Sequence, residues 1–221
     1  MFELLQLGRS KSEDTFAGFV PSTDFITSAT LRDELGIDFG VVMEDAGWLN
    51  VMLDGKHLFV AKKPLLNSVD EKVLTQRSLV TGDRTIKVRG VTYKVRLLKT
   101  TNPNMSSVHP APSVTYDHVT LQNSEFNRIF YPLTYNSTHP IGSVSTEGLV
   151  FGSLAQYTEE ELGFSTSGVA PVNQLYTICQ EKGQHGYPVE RGFYGVHSAY
   201  SHHQYLGAYH TRTWRPVLEK V

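Results

Sequence analysis

The chain has 221 residues, 40% of them apolar, which is enough to bury a core without disulfides or metals. Its 20 lysines and arginines nearly balance 22 aspartates and glutamates, so no general positive charge attracts nucleic acid or an anionic membrane. The single cysteine, Cys179, excludes an internal disulfide framework and zinc sites that need several cysteines. Apolar runs are too short for a membrane-spanning helix, and we expect no secretory signal in residues 1–10.

The N-terminal residues predict an arm followed by a short helix. Residues 1–20 show no periodicity, which is typical of an extended arm or of a peptide that binds a partner. The helix that follows can be capped by Thr27 or Ser28 and ended by Gly36.

Two hairpins are predicted next. Residues 48–60 alternate apolar positions around Asp54-Gly55, a pair that suits a tight turn with positive φ angles. Strands at 84–89 and 91–98 join near Arg89-Gly90, and their alternation indicates a half-buried pair.

Three further helix starts are visible as capping patterns. Ser68 and Glu71 form a capping box ahead of a short helix. Residues 124–131 predict a second short helix closed by Pro132. The capping-box pattern recurs at residues 158–161.

The rest of the sequence predicts long irregular loops. Residues 100–115 are rich in Asn, Pro, Ser and His, and no helical period follows Gly163 until a closing strand at 213–219. A few antiparallel strands, two short helices and long loops indicate the α+β class. We expect an N-terminal arm and helix over residues 1–45 and one main domain over residues 46–221.

Histidines cluster near the C-terminus. They are His185, His197, His202, His203 and His210. Their spacing fits neither a helical nor a strand arrangement of metal ligands, and no carboxylate lies between Arg191 and Arg212. We therefore expect no bound metal. The alternative is a metal site built by the loop around His197, His202 and His203.

No sequence motif indicates catalysis. Cys179 follows an apolar residue, which favours a buried, inert thiol over a nucleophile. The simplest interpretation of the acidic run at residues 159–161 is the first turn of a helix, and the alternative is a calcium site. We expect the protein not to be an enzyme.

The segment between Tyr187 and His210 has the composition of a recognition surface. It combines five tyrosines and Phe193 with glycine, serine and histidine, and has almost no charge. Tyrosine offers a large rigid contact area and a hydroxyl at low entropic cost. The alternative is that these aromatics pack the loops together. The candidate binding residues are Tyr194, Tyr200, His202, His203, Tyr205 and Tyr209.

Several motifs occur in an order that resembles phage and prophage virion proteins with a C-type-lectin-like fold. They include Trp48 with Asp54-Gly55-Lys56 and residues 60–64, Tyr93–Leu98, Ser124–Arg128, Tyr157-Thr158 with Leu162-Gly163, Gln180-Glu181, Arg191-Gly192 and Trp214–Glu219. Relatives of that group include the formylglycine-generating (sulfatase-modifying) enzymes and variable receptor-binding proteins of diversity-generating phages.

The resemblance implies that the chain ends meet, with the 48–60 hairpin beside residues 214–219. It also implies that the residues after Arg191-Gly192 correspond to the variable receptor-binding region. The chain lacks the cysteine pair that binds copper in the enzymes, and it lacks the helical bundle that carries the histidines of related iron enzymes. It departs from the group's pattern at Phe126 and Phe193, where tryptophan and glycine are usual.

These observations predict a non-enzymatic bacteriophage virion protein associated with the tail (fibre, tip or collar), which binds a host-surface glycan or protein. The first alternative is a capsid-decoration or tail-joint protein whose loops are buried against other virion proteins. The second is a metal-dependent enzyme of the formylglycine-generating type, which the single cysteine disfavours. We expect no cofactor, nucleic acid or membrane insertion, assembly in the host cytoplasm, and a homo-oligomer, a trimer or higher.

Overall fold

The computed structural model describes residues 5–6, 14–100, 124–135, 154–164, 175–182, 188–192, 195–200 and 211–221. Helices α1, α2 and α3 span Ser28–Leu35, Glu71–Gln76 and Glu125–Leu133. Strands β1 to β7 span Leu5–Gln6, Thr15–Val20, Val41–Val42, Trp48–Leu53, Lys56–Ala61, Leu66–Asn67 and Thr81–Val88. Strands β8 to β13 span Val91–Arg96, Leu175–Lys182, Pro188–Gly192, Gly195–Tyr200, Thr211–Thr213 and Val217–Lys220.

The first sheet has seven antiparallel strands in the order β1-β2-β4-β5-β13-β8-β7. The C-terminal strand β13 lies between β5 and β8, where Val217 is opposite both Val60 and Arg96. The expected pairing of the 48–60 hairpin with the chain's end is therefore present. The single closing strand expected at 213–219 is instead two strands, β12 and β13, which belong to different sheets.

Residues 15–20, part of the expected N-terminal arm, are a strand of the first sheet. They form β2, which pairs with β4 and buries Phe16 in the core. A bulge between Phe16 and Gly18 shifts the register, with Gly18 at a φ of 114°. This irregularity disturbs the alternation that would identify a strand in the sequence.

The second sheet has the order β11-β10-β9-β12, with β12 parallel to β9 and the other pairs antiparallel. Beyond β12, Trp214 bridges to Leu66 of β6, which in turn pairs with β3. The prediction of irregular loops after Gly163 is thus wrong for the described residues. Tyr176, Thr177, Ile178 and Cys179 of β9 are all buried, so this strand lacks the alternation of a half-buried one.

Both predicted hairpins are confirmed. Asp54 and Gly55 have φ angles of 51° and 72° at the β4–β5 turn. Arg89 and Gly90 have φ angles of 49° and 82° at the β7–β8 turn. Strand β7 begins at Thr81, earlier than expected.

Helix α1 is confirmed with its caps. The Thr27 side chain accepts from the Thr30 amide, and Gly36 ends the helix at a φ of 64°. Helix α2 begins differently from the prediction. Asp70, not Ser68, accepts from the amide of Lys72, because Ser68 itself has a left-handed φ of 54°.

Helix α3 begins as predicted, with Ser124 accepting from the Asn127 amide. It ends later than predicted, since Pro132 lies in the last turn. The capping box at Thr158 and Glu161 forms reciprocal hydrogen bonds of 3.1 and 2.8 Å. It closes a turn rather than an α-helix.

The coarse fold class is confirmed as α+β, since short helices pack on mostly antiparallel sheets. One hydrophobic cluster joins a face of the first sheet to α3 and the second sheet, through residues such as Val51, Ile129 and Val189. Another cluster joins the opposite face of the first sheet to the segment that carries α1, through Trp48 and Leu31. Within the described residues, no helix is long and apolar enough to cross a membrane.

Gly47 offers a test of this packing. A Cβ atom there would lie 2.6 Å from a Phe19 ring carbon and 2.8 Å from the Val20 carbonyl oxygen, at a φ of 77°. Gly55 has a similar φ with nothing within 4 Å of its Cβ position. Gly55→Ala should cost about 1 kcal/mol from backbone strain alone. Gly47→Ala should cost roughly 1–3 kcal/mol more from overpacking, measured by urea unfolding. Equal losses would contradict the tight approach of β2 to Gly47.

Candidate functional site: a β-hairpin held by buried arginines

The predicted binding residues lie mostly outside the described part of the chain. Tyr194, His202, His203, Tyr205 and Tyr209 fall outside it. Tyr200 is the last residue of β11, where its backbone pairs with Glu190. The expectation of one continuous loop from 187 to 210 is wrong, because 188–192 and 195–200 are paired strands.

Strands β10 and β11 form a tight hairpin whose turn is flanked by glycines. Gly192 and Gly195 face each other with φ angles of 91° and 99°, next to a register shift after Arg191. A Cβ atom on Gly192 would lie 2.6 Å from the Phe164 ring. Gly192 therefore packs closely against Phe164 of the hydrophobic core.

Arg191 ties this hairpin to α3. Its side chain is fully buried, and its Nη2 donates to Asn127 Oδ1 of α3 at 2.6 Å and to the Val196 carbonyl of β11 at 3.1 Å. Nη1 donates to Thr100 Oγ1 at 3.0 Å, and the guanidinium lies 4.1 Å from the Phe126 ring centroid. Burial lowers the pKa of Arg191. One side chain thus fixes β10 and β11 against the helix.

Two buried carboxylates fix the neighbouring strands. Glu159 accepts from the amide of Val196 at 2.8 Å, so the acidic run supports β11. Glu190 of β10 accepts from Arg212 Nε of β12 at 2.5 Å. Burial raises the pKa of Glu190, and the positive charge of Arg212 opposes that rise. The strands at both ends of residues 201–210 are therefore held by buried polar contacts.

Arg215 completes the support behind the hairpin. Its guanidinium lies 4.8 and 4.6 Å from the ring centroids of Phe130 and Phe164, and its Nη2 donates to the Leu162 carbonyl at 2.5 Å. Burial lowers its pKa to about 9. The aromatic faces stabilise a cation that is hidden from water.

Helix α3 is held from its other side by ion pairs. The Glu125 carboxylate accepts hydrogen bonds from both Nη atoms of Arg96, at 2.8 and 2.9 Å, and Arg96 Nε donates to Glu219 at 2.8 Å. Arg128 pairs with Asp14 and, at 2.7 Å, with Asp54 of the β4–β5 turn. These contacts connect α3 to β13, β8 and the first hairpin.

The described residues do not assemble a metal site. Among them, no group of three histidine, cysteine or acidic side chains could hold a metal ion. The histidine cluster lies outside the described side chains. Cys179 is buried as predicted, and burial raises its pKa. Glu159 and Glu161 accept hydrogen bonds from backbone amides. These contacts favour a structural role for the acidic run over a calcium site.

Sequence analysis missed the roles of Arg191, Asn127, Glu159 and Arg215. Arg191, Asn127 and Arg215 lie in motifs that carry the resemblance, but those motifs assign no role to the three side chains. The sequence feature that could have indicated these residues is a charged or polar residue beside an aromatic one in a segment with little other charge. That feature does not show which side chains are in contact in the folded protein. Comparison with known proteins gives no match to any protein-family model, curated protein or solved structure.

Replacing Arg191 should loosen the hairpin. Arg191→Met removes three buried hydrogen bonds, to Thr100, Asn127 and Val196, so the free energy of unfolding should fall by roughly 2–5 kcal/mol. Arg77, an exposed arginine paired with Asp38, provides the control, since Arg77→Met should cost about 0–1 kcal/mol. Chemical unfolding of both variants measures the difference. A small loss for Arg191→Met would contradict the bracing role.

Glu219 should make stability depend on acid pH. Burial alone would raise its pKa, but hydrogen bonds from Lys56 and Arg96 hold the pKa below its usual 4.5. The resulting stabilisation is present above the unfolded-state pKa and is lost as pH falls through the folded-state pKa. Glu219→Gln should cost roughly 1–3 kcal/mol at pH 7 and much less at pH 3. Urea unfolding from pH 3 to 7 checks this, and a pH-independent cost would contradict it.

Proposed function

We propose that the protein is a non-enzymatic bacteriophage virion protein that sits on the tail. There it binds a host-surface glycan or protein through the aromatic segment around residues 194–209. The ordered set of motifs that resembles phage virion proteins supports the virion assignment. The Tyr, His, Gly and Ser composition of the aromatic segment supports the binding role.

One observation carries the binding proposal. Strand β11 ends at Tyr200 and β12 begins at Thr211, so two strands of the second sheet flank residues 201–210 in the chain. Arg191, Glu159 and Glu190 brace those two strands. Proteins often carry recognition residues on a segment that is flanked by a rigid scaffold, because the sequence of the segment can then change while the scaffold stays intact.

The pairing of the first hairpin with β13 supports the proposed C-type-lectin-like fold, in which the start and end of the domain come together. The buried position of Cys179 supports a non-enzymatic role, because a thiol hidden from solvent is a poor nucleophile. We also propose a homo-oligomer, a trimer or higher, since positions in a virion impose rotational symmetry.

A second candidate is a capsid-decoration or tail-joint protein. Val41 and Val42 on β3 are 58% and 49% exposed, and Phe19 on β2 is 43% exposed. Exposed large apolar side chains are a feature of surfaces that are buried against another protein. In this role the aromatic segment would contact other virion proteins rather than a host.

Removing three tyrosines tests the host-binding role. The triple variant Tyr200→Ala, Tyr205→Ala, Tyr209→Ala should lose at least tenfold in affinity for its best ligand on an array of bacterial surface glycans, because stacking faces and hydroxyls are removed. The unfolding midpoint should stay within a few degrees of the parent.

The control removes exposed apolar surface elsewhere. Phe19→Ala, Val41→Ala, Val42→Ala should leave array binding unchanged and should reduce incorporation into particles only if the second candidate is right. Host-binding would be wrong if the tyrosine variant kept full affinity for whole host cells and glycans with its fold intact.

A further inference from the structure

Among the described strands, β7 is an edge of the first sheet, with a neighbouring strand on one side only. It spans Thr81–Val88 and stands last in the strand order, where it pairs with β8 alone among the described strands. Eight residues are long for an edge strand, because exposed edges invite another chain to pair. The question is which chain this edge suits.

The turn geometry identifies the backbone groups that point outward. Arg89 and Gly90 form a two-residue turn with positive φ angles, so Val88 and Val91 make the closing hydrogen-bonded pair. Hydrogen-bonded pairs alternate along an antiparallel ladder. The amide and carbonyl groups of Thr85 and Lys87 therefore point away from β8.

A small cavity lies beside this edge. It has a volume of about 240 Å³, with Phe25, Ile26 and Val88 among its apolar lining and Thr27 and Thr30 among its polar lining. Residues directly opposite each other on neighbouring strands share a face of the sheet. A strand added to β7 would thus place the side chain opposite Val88 on the cavity's face. The volume suits one side chain rather than a cofactor.

We propose that β7 binds an extended acidic segment of another protein as an added strand, with one side chain of that segment in the cavity. In this mode of recognition, backbone hydrogen bonds supply affinity and the pocket supplies specificity. The proposal concerns an edge of the first sheet, whereas the aromatic segment is flanked by strands of the second sheet, and it does not depend on the proposed function.

The charges on the edge select this occupant. Three exposed cations, Arg84, Lys87 and Arg89, outnumber the two exposed carboxylates nearby, those of Asp83 and Glu34, so the edge carries a net positive charge. A second copy of β7 would bring like positive charges together across the new strand pair, which is unfavourable. A partner strand with aspartate or glutamate on the matching face would instead form cross-strand ion pairs.

Peptide arrays test the occupant. The probe is a set of ten-residue peptides that alternate threonine and aspartate, with each of the twenty residue types at a central position. A matched set carries lysine in place of aspartate. The purified full-length chain should bind at least one acidic peptide more than tenfold better than its lysine counterpart, and 0.5 M NaCl should weaken that binding. Binding of no acidic peptide, or equal binding of both sets, would overturn the proposal.

Backbone variants test the mode of binding. Thr85→Pro removes an outward amide without removing a β7–β8 hydrogen bond, whereas the control Thr85→Val keeps the amide. We expect at least tenfold weaker peptide binding for the proline variant alone. Lys87→Glu, a second variant that leaves the backbone intact, should reverse the preference between acidic and basic peptides.

Hydrogen exchange distinguishes a free edge from one covered by the chain itself. The amides of Thr85 and Lys87 should exchange fast in the free protein and become at least tenfold slower when the best acidic peptide is bound. Slow exchange of both amides in the free protein would mean that the edge is already occupied, and the proposal would fail. Unchanged fast exchange on peptide binding would also overturn it.

Discussion

The burial of helix α3 is the constraint on which the rest of the structure depends. All nine of its residues are buried, and they include the charged side chains of Glu125 and Arg128. A buried charge is costly unless it is paired and hydrogen-bonded. Arg96 and Asp14, which lie far apart in sequence, supply those partners. The burial of the helix therefore depends on partners supplied by β8 and by the residue that precedes β2.

The same helix connects the scaffold to the candidate recognition segment. Asn127, two residues after Glu125, accepts a hydrogen bond from Arg191 of the second sheet, while the apolar face of α3 packs against both sheets. The bracing contacts are all made by residues outside 201–210. Sequence change within that segment would leave Arg191 and its partners untouched, which is a property that a variable binding surface requires.

Local chemistry was readable from the sequence. The Asp54-Gly55 turn, the Thr27 and Gly36 caps, and the start of α3 at Ser124 each depend on residues within a few positions of one another. The one cap that was predicted wrongly, at Ser68, has its partner pattern in the sequence but not the backbone conformation that a cap needs. The composition of residues 187–210 likewise identified a candidate surface without its hairpin frame.

By itself, then, the sequence determined the α+β class, the two hairpins, the starts of α1 and α3 and the absence of an internal disulfide, because these follow from neighbouring residues and from composition. Only the tertiary structure decided that β13 lies between β5 and β8, that β9 is buried on both faces, and that Arg191 braces the hairpin. The physical reason is that a buried polar group must be paired, but any of several distant partners could satisfy it. Which one does so is settled by how the sheets pack around α3.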